Sequence, residues 1–325
     1  MLDTAIFMKQ ACVSQLQKKY TQVLGQGVGR RSGFLDLNQP FKPDYAAVLG
    51  TVAIQVLNHL SASTALYHNV EHTILVCLVG QEILHGKHQQ EGNVTGEDWL
   101  NFMVSLLCHD IGYVGGVCQQ DDVARRRYIL GQLQSLEGQT LETAWINLAP
   151  GATDASLSPY HVDRSLLFVR ENLGQYDGLD LNAIQQNIEL TRFPVPNDPA
   201  YRVMDSYPGL ARAADLIGQL SDSGYLQKTV ALFYEFEEVG ANQRLGFHYP
   251  EDLKFNYPSF YRDQVYPYIQ PALAYLQATP QGCQIIKNLE ANVATVEQEV
   301  LSGIGLDRTR ETSTAATVSA SGYLG

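Results

Sequence analysis

The chain is poor in cysteine, and long apolar runs are missing from it. Its five cysteines are odd in number, widely spaced and never arranged as C-x-x-C, so neither a disulfide framework nor a thiolate zinc site is indicated. No uncharged apolar stretch reaches about 18 residues, the length that a membrane-spanning helix needs. We therefore expect no membrane partner.

Basic residues are also scarce relative to acidic ones. The sequence has 22 Lys and Arg against 34 Asp and Glu, which gives a formal net charge of -12 at pH 7. Because nonspecific nucleic-acid binding needs a basic field that displaces phosphate counterions, this balance argues against a nucleic acid polymer as partner. The one basic run, Arg125-Arg126-Arg127, follows Asp121 and Asp122 and is interpreted as a solvated helix face.

The N-terminal segment does not have the pattern of a secretory signal. Asp3 stands where a signal would be basic, and the apolar stretch stops at Lys9. We therefore expect a cytoplasmic protein. With 325 residues, 45% of them apolar and 17% charged, the chain is long and apolar enough to bury a large core.

Apolar residues recur with the helical period through most of the sequence. Val48, Leu49, Val52 and Val56 follow the i, i+3, i+4 spacing that gives a helix one buried face. Hardly any stretch alternates with period two, so strands should be incidental. The sequence therefore predicts an all-α fold, with helices over residues 45–60, 70–84, 99–108, 157–173, 181–191, 210–220, 226–238, 261–277 and 285–301.

These helices are interpreted as one domain over residues 1–301, because helices on both sides of every loop supply residues to one candidate site. Residues 25–43 and 193–199 are predicted loops from their Gly, Pro and Asn content. From residue 302 the composition turns to Ser, Thr, Ala and Gly, which lack the apolar content to offset ordering entropy. Residues 302–325 are therefore predicted to be a flexible tail.

Two histidine motifs and one distant aspartate indicate a transition-metal site. The first motif reads Y-H-N-V-E-H, and if its helix begins slightly before residue 70, His68 and His72 stand four apart on one face. One could then bind an ion while the other acts on substrate. The second motif reads C-H-D and places His109 and Asp110 at the end of an apolar helix, where both are costly to bury without a partner such as a metal.

Asp215 is the natural fourth ligand. It lies among apolar helical neighbours, and such a carboxylate is rarely buried without a cation or strong hydrogen bonds. The alternatives are that Asp215 caps a helix or pairs with Arg212. The order of the two motifs and a helical aspartate along the chain favours the shared metal ion.

The Y-H-N-x-x-H motif followed by H-D resembles the HD superfamily of metal-dependent phosphohydrolases, and specifically the class I cyclic-nucleotide phosphodiesterases. The order and helical setting match over roughly residues 45–238. The resemblance implies an all-α HD-type bundle, with Asp110 reaching a second metal and His68 as the general acid. It also implies four ligands of the first metal: His72, His109, Asp110 and Asp215.

The chain departs from the phosphodiesterase pattern after the H-D pair. The family reads H-D-x-x-H-P-G, whereas this chain reads H-D-I-G-Y-V-G-G, so the second histidine of that pattern is absent. His161 is similar to an extra histidine that many members carry, and it is interpreted either as a substrate ligand or as a surface helix N-terminus. Asn69 is a further candidate for contact with substrate. The aromatic residues at 233, 234 and 236 could hold a purine, but at helical spacing they are more simply core residues.

The ligand set indicates a hydrolytic reaction. Imidazole and carboxylate ligands suit one or two divalent ions of Zn, Mn, Fe or Mg. A bound water of lowered pKa would attack phosphorus, and protonated His68 would donate to the leaving oxygen. We therefore expect a phosphohydrolase, with a small anionic phosphoester as substrate and a nucleotide or cyclic nucleotide as the first choice.

Two other classes of protein fit part of the pattern. A regulatory or scaffold protein of the HD fold could keep the metal ligands without turnover. A pigment- or cofactor-binding helical protein could use His68 or His109 as an axial ligand. Metal analysis with a substrate panel separates the first class from an enzyme, and a colourless preparation excludes the second.

Overall fold

Helices dominate the protein, which confirms the all-α prediction. The structure is a computed structural model that describes residues 2–24, 44–133 and 142–302. Within these residues 70% are helical, and the strands form one two-stranded sheet. No helix in these three segments is long and apolar enough to cross a bilayer. The predicted loop over 25–43 and the predicted tail beyond Ser302 lie outside the described residues.

The order of elements follows the predicted helices, with additions. A short 3₁₀ turn, Ile111–Tyr113, follows the fourth helix, and a hairpin of β1 (Arg127–Leu133) and β2 (Glu142–Asn147) precedes the fifth. The α-helices are α1 (Leu2–Leu24), α2 (Tyr45–Leu60), α3 (Val70–Glu91), α4 (Gly96–Cys108), α5 (His161–Asn172), α6 (Leu181–Glu189), α7 (Tyr207–Leu220), α8 (Tyr225–Glu238), α9 (Ala241–Leu245), α10 (Pro250–Phe260), α11 (Tyr266–Leu276) and α12 (Pro280–Leu301).

Capping residues explain where the predicted helices begin. The side chain of Asp44 accepts a hydrogen bond from Ala47 N at 3.1 Å, and α2 starts at the next residue. Thr95 and Asp98 form a capping box, in which Asp98 N donates to Thr95 Oγ1 at 3.1 Å and Thr95 N donates to Asp98 Oδ2 at 2.9 Å, so α4 begins at Gly96, three residues before the predicted start. Both helix starts are therefore local properties of the sequence.

Several elements were not predicted. Helices α1, α9 and α10 are absent from the prediction, and the helix expected over 261–277 begins with a π-helical turn, Tyr261–Val265, that joins α10 to α11. Pro258 inside α10 weakens the helical signal there. A π-helical turn depends on packing around it, so apolar spacing does not reveal it.

The Arg125–Arg127 run does not lie on a helix face, which corrects that interpretation. Arg126 has a positive φ of 52°, and Arg127 opens β1 opposite β2. The Arg127 guanidinium lies 4.3 Å from the centroid of the Trp145 ring, and Arg125 pairs with Asp122 at 2.7 Å. A left-handed residue followed by β-prone side chains ends any helix, so the run belongs to a hairpin.

One hydrophobic cluster extends from Cys12 in α1 to Val296 in α12. Helices α3 and α7 cross within it at Gly218, where a β-carbon would lie only 2.8 Å from the Cα of Val76. This close approach brings the first two turns of α3 against the C-terminal half of α7. His72 and Asp215 lie about one turn from the crossing and therefore face each other.

Candidate metal centre

Four predicted site residues converge where α3, α4 and α7 meet. His72 lies in the first turn of α3, His109 and Asp110 follow the end of α4, and Asp215 lies in α7. The Nε2 atom of His72 lies 3.2 Å from Asp110 Oδ2 and 3.2 Å from Asp215 Oδ1. Residues from three separate stretches of the chain thus surround one point.

His109 completes this group. Its Nε2 atom lies 3.4 Å from His72 Nε2, 3.2 Å from Asp110 Oδ2 and 3.5 Å from Asp215 Oδ1. One ligand atom each from His72, His109 and Asp215 lies within 4.8 Å of the other two. Ligands at about 2.0–2.2 Å from a shared ion lie roughly 3–4 Å from one another, so the spacing suits a single cation.

Hydrogen bonding tests whether a cation fits. His109 Nδ1 donates to the Leu106 carbonyl at 2.7 Å, which leaves the lone pair of Nε2 directed at the centre. Asp110 Oδ2 is buried and has no hydrogen-bond partner among the described residues. An acceptor oxygen without a donor, beside two imidazole nitrogens, is satisfied by a cation. The donor set therefore fits a divalent metal ion.

The electrostatics point the same way. Burial would lower the pKa of His72, but the carboxylates of Asp110 and Asp215 outweigh it and raise that pKa to about 9. The same opposition raises the pKa of His109 well above its usual value. Burial would raise the pKa of Asp110, yet His109 and His72 hold it well below its usual range. The carboxylates thus require positive charge, which protons or a divalent cation can supply.

Arg212 is not the partner of Asp215. Its Nη1 donates to the Tyr201 carbonyl at 2.6 Å and its Nη2 to the Val203 carbonyl at 3.0 Å. Asp215 lies inside α7 and not at the helix start, where Ser206 caps instead. Neither alternative for Asp215 therefore describes its contacts.

His68 does not lie on the face of α3, which corrects the expectation of an earlier helix start. The helix begins at Val70 because Asn69 has an extended backbone and its Oδ1 accepts from Glu71 N at 2.9 Å. His68 therefore lies in the bend before the helix, although its ring centroid is still 5.4 Å from that of His72. Asn69 acts as a helix cap and is not among the residues that line the cavity described below.

Glu235, which the sequence analysis missed, orients His68. Glu235 is buried in α8, and its Oε2 lies 2.5 Å from His68 Nδ1. Its Oε1 accepts from Tyr67 N at 2.6 Å and from His68 N at 3.1 Å. Burial would raise the pKa of Glu235, but the adjacent His68 lowers it. The sequence does contain a signal for it: Glu235 follows Leu232 by three residues, so a carboxylate falls on the apolar face of a predicted helix.

Tyr113 occupies the place where the phosphodiesterase pattern has its second histidine. Its ring stacks on His68 with centroids 4.5 Å apart, and on His161 with centroids 4.7 Å apart. The Tyr113 hydroxyl is hydrogen-bonded to Ser158 Oγ at 3.1 Å. The tyrosine therefore fixes the planes of two histidine rings.

His161 is the first residue of α5, as expected for a helix N-terminus, but its ring faces inward. Its Nδ1 donates to the Ser158 carbonyl at 2.6 Å, and its Nε2 lies 3.7 Å from Asp110 Oδ1. Burial lowers the pKa of His161 more than the nearby Asp110 raises it. This histidine therefore belongs with the cluster and presents a nitrogen beside Asp110.

Gly112 brings α5 to the centre. A β-carbon on Gly112 would lie 1.9 Å from the His161 carbonyl oxygen, so only glycine fits this crossing. Gly112 N donates to Ser165 Oγ at 2.9 Å, and the Ser165 hydroxyl donates to the His109 carbonyl at 2.8 Å. The segment that carries His109 is thus fixed against α5.

The cluster lies at one side of a cavity of about 380 Å³. Its volume is within the range of roughly 300–1,000 Å³ found for small-molecule sites. Of the aromatic residues at 233–236, Phe236 lines the cavity, Phe233 is buried and Tyr234 is exposed. The cavity wall carries four of the candidate site residues: His68, Asp110, His161 and Asp215.

The fold and site define an all-α protein with a buried histidine and carboxylate centre that opens into a small-molecule cavity. A family model described as Npun_R2479-like matches residues 2–299, and the chain belongs to that family. Searches of curated proteins and of solved structures found no match to the chain. The family description names no activity.

Proposed function

We propose that this protein is a metal-dependent phosphohydrolase that cleaves a small anionic phosphoester. The observation that carries the proposal is the convergence of His72, His109, Asp110 and Asp215, whose facing atoms lie 3.2 to 3.5 Å apart. Their sequence motifs also resemble those of the HD superfamily. The cavity beside them is of small-molecule size, which suits a diffusible substrate.

The four proposed ligands suit Zn, Mn, Fe or Mg, because all are imidazole nitrogens or carboxylate oxygens. With neutral imidazoles, Asp110 and Asp215 leave two negative charges at the centre, which one divalent cation balances. When bound, such an ion supplies a water of lowered pKa and withdraws charge from the phosphoryl oxygens. A second ion would share Asp110, whose Oδ1 faces His161.

His68 is the proposed general acid. Glu235 accepts from His68 Nδ1 at 2.5 Å, so the other ring nitrogen is presented to the cavity. There it can give a proton to the leaving oxygen of the ester. Glu235 stabilises the positive charge of the protonated ring, and stacking on Tyr113 fixes the ring plane.

A nucleotide or cyclic nucleotide is the proposed substrate class, on the resemblance of the histidine motif to the phosphodiesterases. The test is a panel of cyclic nucleotides, nucleoside monophosphates and a chromogenic phosphodiester, assayed with added Mn²⁺ and again with a chelator. We expect turnover that the chelator abolishes. Absence of turnover on every compound, with metal shown to be bound, contradicts the proposal.

Tyr113 favours a second candidate function, a regulatory protein that binds metal without turnover. The tyrosine ring stands between His68 and His161, where the phosphodiesterase pattern has a histidine. The same panel decides between the two functions, because the regulatory protein would bind metal and release no product. His109 is not favoured as the ligand of a pigment, since Asp110 Oδ2 lies 3.2 Å from its Nε2 and leaves no room for a large ring system there.

A further inference from the structure

We propose that the substrate carries a single phosphoryl group on a largely apolar body, and that nucleoside di- and triphosphates are excluded. This inference rests on the proposed phosphohydrolase function, because the metal centre is taken to hold the phosphoryl group. The remainder of the same cavity then holds the rest of the molecule.

The wall away from the metal ligands is built mainly from apolar and aromatic side chains. Phe193 and Phe247 from loops, Phe236 from α8, and Leu253 and Phe260 from α10 line the cavity. Each is only half-buried, so apolar surface remains outside the core. Covering such surface is favourable at about 25 cal/mol per Å², which an apolar ligand group would gain.

Part of this wall is already ordered by ring packing. Phe193 and Phe260 meet edge to face, with centroids 5.6 Å apart and planes at 71°. Aromatic pairs in this arrangement support each other and present a defined surface. The apolar end of the cavity is therefore preformed, which lowers the entropy cost of binding.

The wall offers little positive charge to further phosphates. Arg192 lies 2.6 Å from Asp163 Oδ1 and 2.5 Å from Glu189 Oε1, so two carboxylates neutralise it. Arg244 donates to the Val239 carbonyl at 3.0 Å and is exposed to solvent, which screens its charge. Phosphate groups in proteins are ordinarily held by such cations in close, desolvated contact.

Among the described residues, the other polar groups on the part of the wall away from the metal ligands and histidines are neutral. They include Thr191, Gln219 and Asn256, which can accept or donate a hydrogen bond but cannot balance a phosphate charge. A body with an isolated hydrogen-bonding group is therefore accommodated. A second or third phosphate in the same place would lose water without gaining a cation.

Alkylphosphonates, which cannot be hydrolysed at the carbon–phosphorus bond, are the probe. Binding of methyl-, butyl- and hexylphosphonate to the Mn²⁺-loaded protein would be measured by titration calorimetry. We expect affinity to rise about threefold to fourfold for each added methylene until the cavity is full. Affinity that does not change with chain length overturns the inference.

A matched bisphosphonate tests the exclusion of further phosphates. We expect 1,6-hexanebisphosphonate to bind about tenfold or more weakly than hexylphosphonate, because its far end places a charge against apolar side chains. A bisphosphonate that binds more tightly overturns the inference. In that case, if Arg244→Ala no longer binds the bisphosphonate more tightly than hexylphosphonate, the exposed Arg244 guanidinium is the second anion contact.

Two variants of α8 locate the apolar contact. Phe236→Ser is expected to reduce the gain per methylene, whereas Tyr234→Ser, on the exposed side of the same helix, should keep it. The wild-type series decides the inference even if Phe236→Ser fails to fold. If affinity depends on chain length but no ester is turned over, the phosphohydrolase function is contradicted and the apolar ligand class is still supported. Turnover on nucleotides, with alkylphosphonate affinity that does not depend on chain length, supports the phosphohydrolase and contradicts the apolar ligand class.

Discussion

At the scale of single residues, the balance of charge decides what the centre can hold. The adjacent imidazoles hold the pKa values of Asp110 and Asp215 below their usual range, and Asp110 Oδ2 makes no hydrogen bond of regular geometry among the described residues. His72 and His109 face these carboxylates through Nε2. Either the imidazoles keep their protons or one divalent ion replaces them. The predictions for single side chains follow from this alternative.

The metal content of variants should distinguish the general acid from the metal ligands. His68→Ala is expected to keep its metal and lose about 10²- to 10⁴-fold in rate, the usual contribution of a general acid. Asp110→Ala should lose both metal and activity, since its oxygen faces both imidazoles. Elemental analysis and kcat of each variant check this, with the exposed His248→Ala as control. Full activity and metal content in Asp110→Ala would refute the ligand assignment.

Glu235 should act through His68 and not through the metal. Glu235→Gln keeps the shape of the side chain but removes the charge beside His68 Nδ1, and we expect kcat to fall about 10- to 100-fold with metal content unchanged. The exposed neighbour Glu237→Gln is the matched control and should keep its rate. An unchanged kcat in Glu235→Gln would show that the contact has no part in proton transfer.

At the scale of helices and turns, local signals were readable and tertiary ones were not. The starts of α2 and α4 depend on Asp44 and Thr95, whose capping bonds reach only three residues along the chain. The contact between His68 and Glu235 joins residues 167 apart, so it depends on how α8 packs. The start of α3 is an exception among the local signals: Asn69 caps the helix through Glu71 N, so α3 begins at Val70 and not before it as the spacing of His68 and His72 predicts.

The crossing at Gly112 should be intolerant of any side chain. Gly112→Ala places a β-carbon against the His161 backbone, and we expect a loss of about 1–3 kcal/mol in the free energy of unfolding together with weaker metal binding. Gly174→Ala is the control, since its β-carbon would meet its nearest atom at 3.9 Å. Denaturant titration of both variants measures the difference. Equal stabilities would show that the crossing can relax.

At the scale of the whole molecule, one hydrophobic cluster spans α1 to α12, and the centre joins α3, α4 and α7 within it. The overall helical class followed from apolar periodicity, because most helices bury one face. The convergence of four ligands did not follow from periodicity. The order of motifs indicated it, and only packing such as the Gly218 crossing produces it.

Stability without metal should depend on pH in a defined direction. The pKa of His72 is raised in the folded protein from 6.5 to about 9, so its contribution is fully present below pH 6.5 and is lost as pH rises through about 9. In chelator, we expect the Tm to fall between these pH values. With Mn²⁺ the fall should be smaller, since the cation replaces the protons. A metal-free Tm that rises over this range would contradict the charge balance.

Anomalous diffraction from a crystal of the protein loaded with Mn²⁺ would measure directly whether the four side chains hold one metal ion. We expect a manganese peak at about 2.0–2.3 Å from atoms of His72, His109, Asp110 and Asp215. A fully loaded crystal whose anomalous peak lies elsewhere, or that shows no peak at these side chains, would contradict the shared metal site.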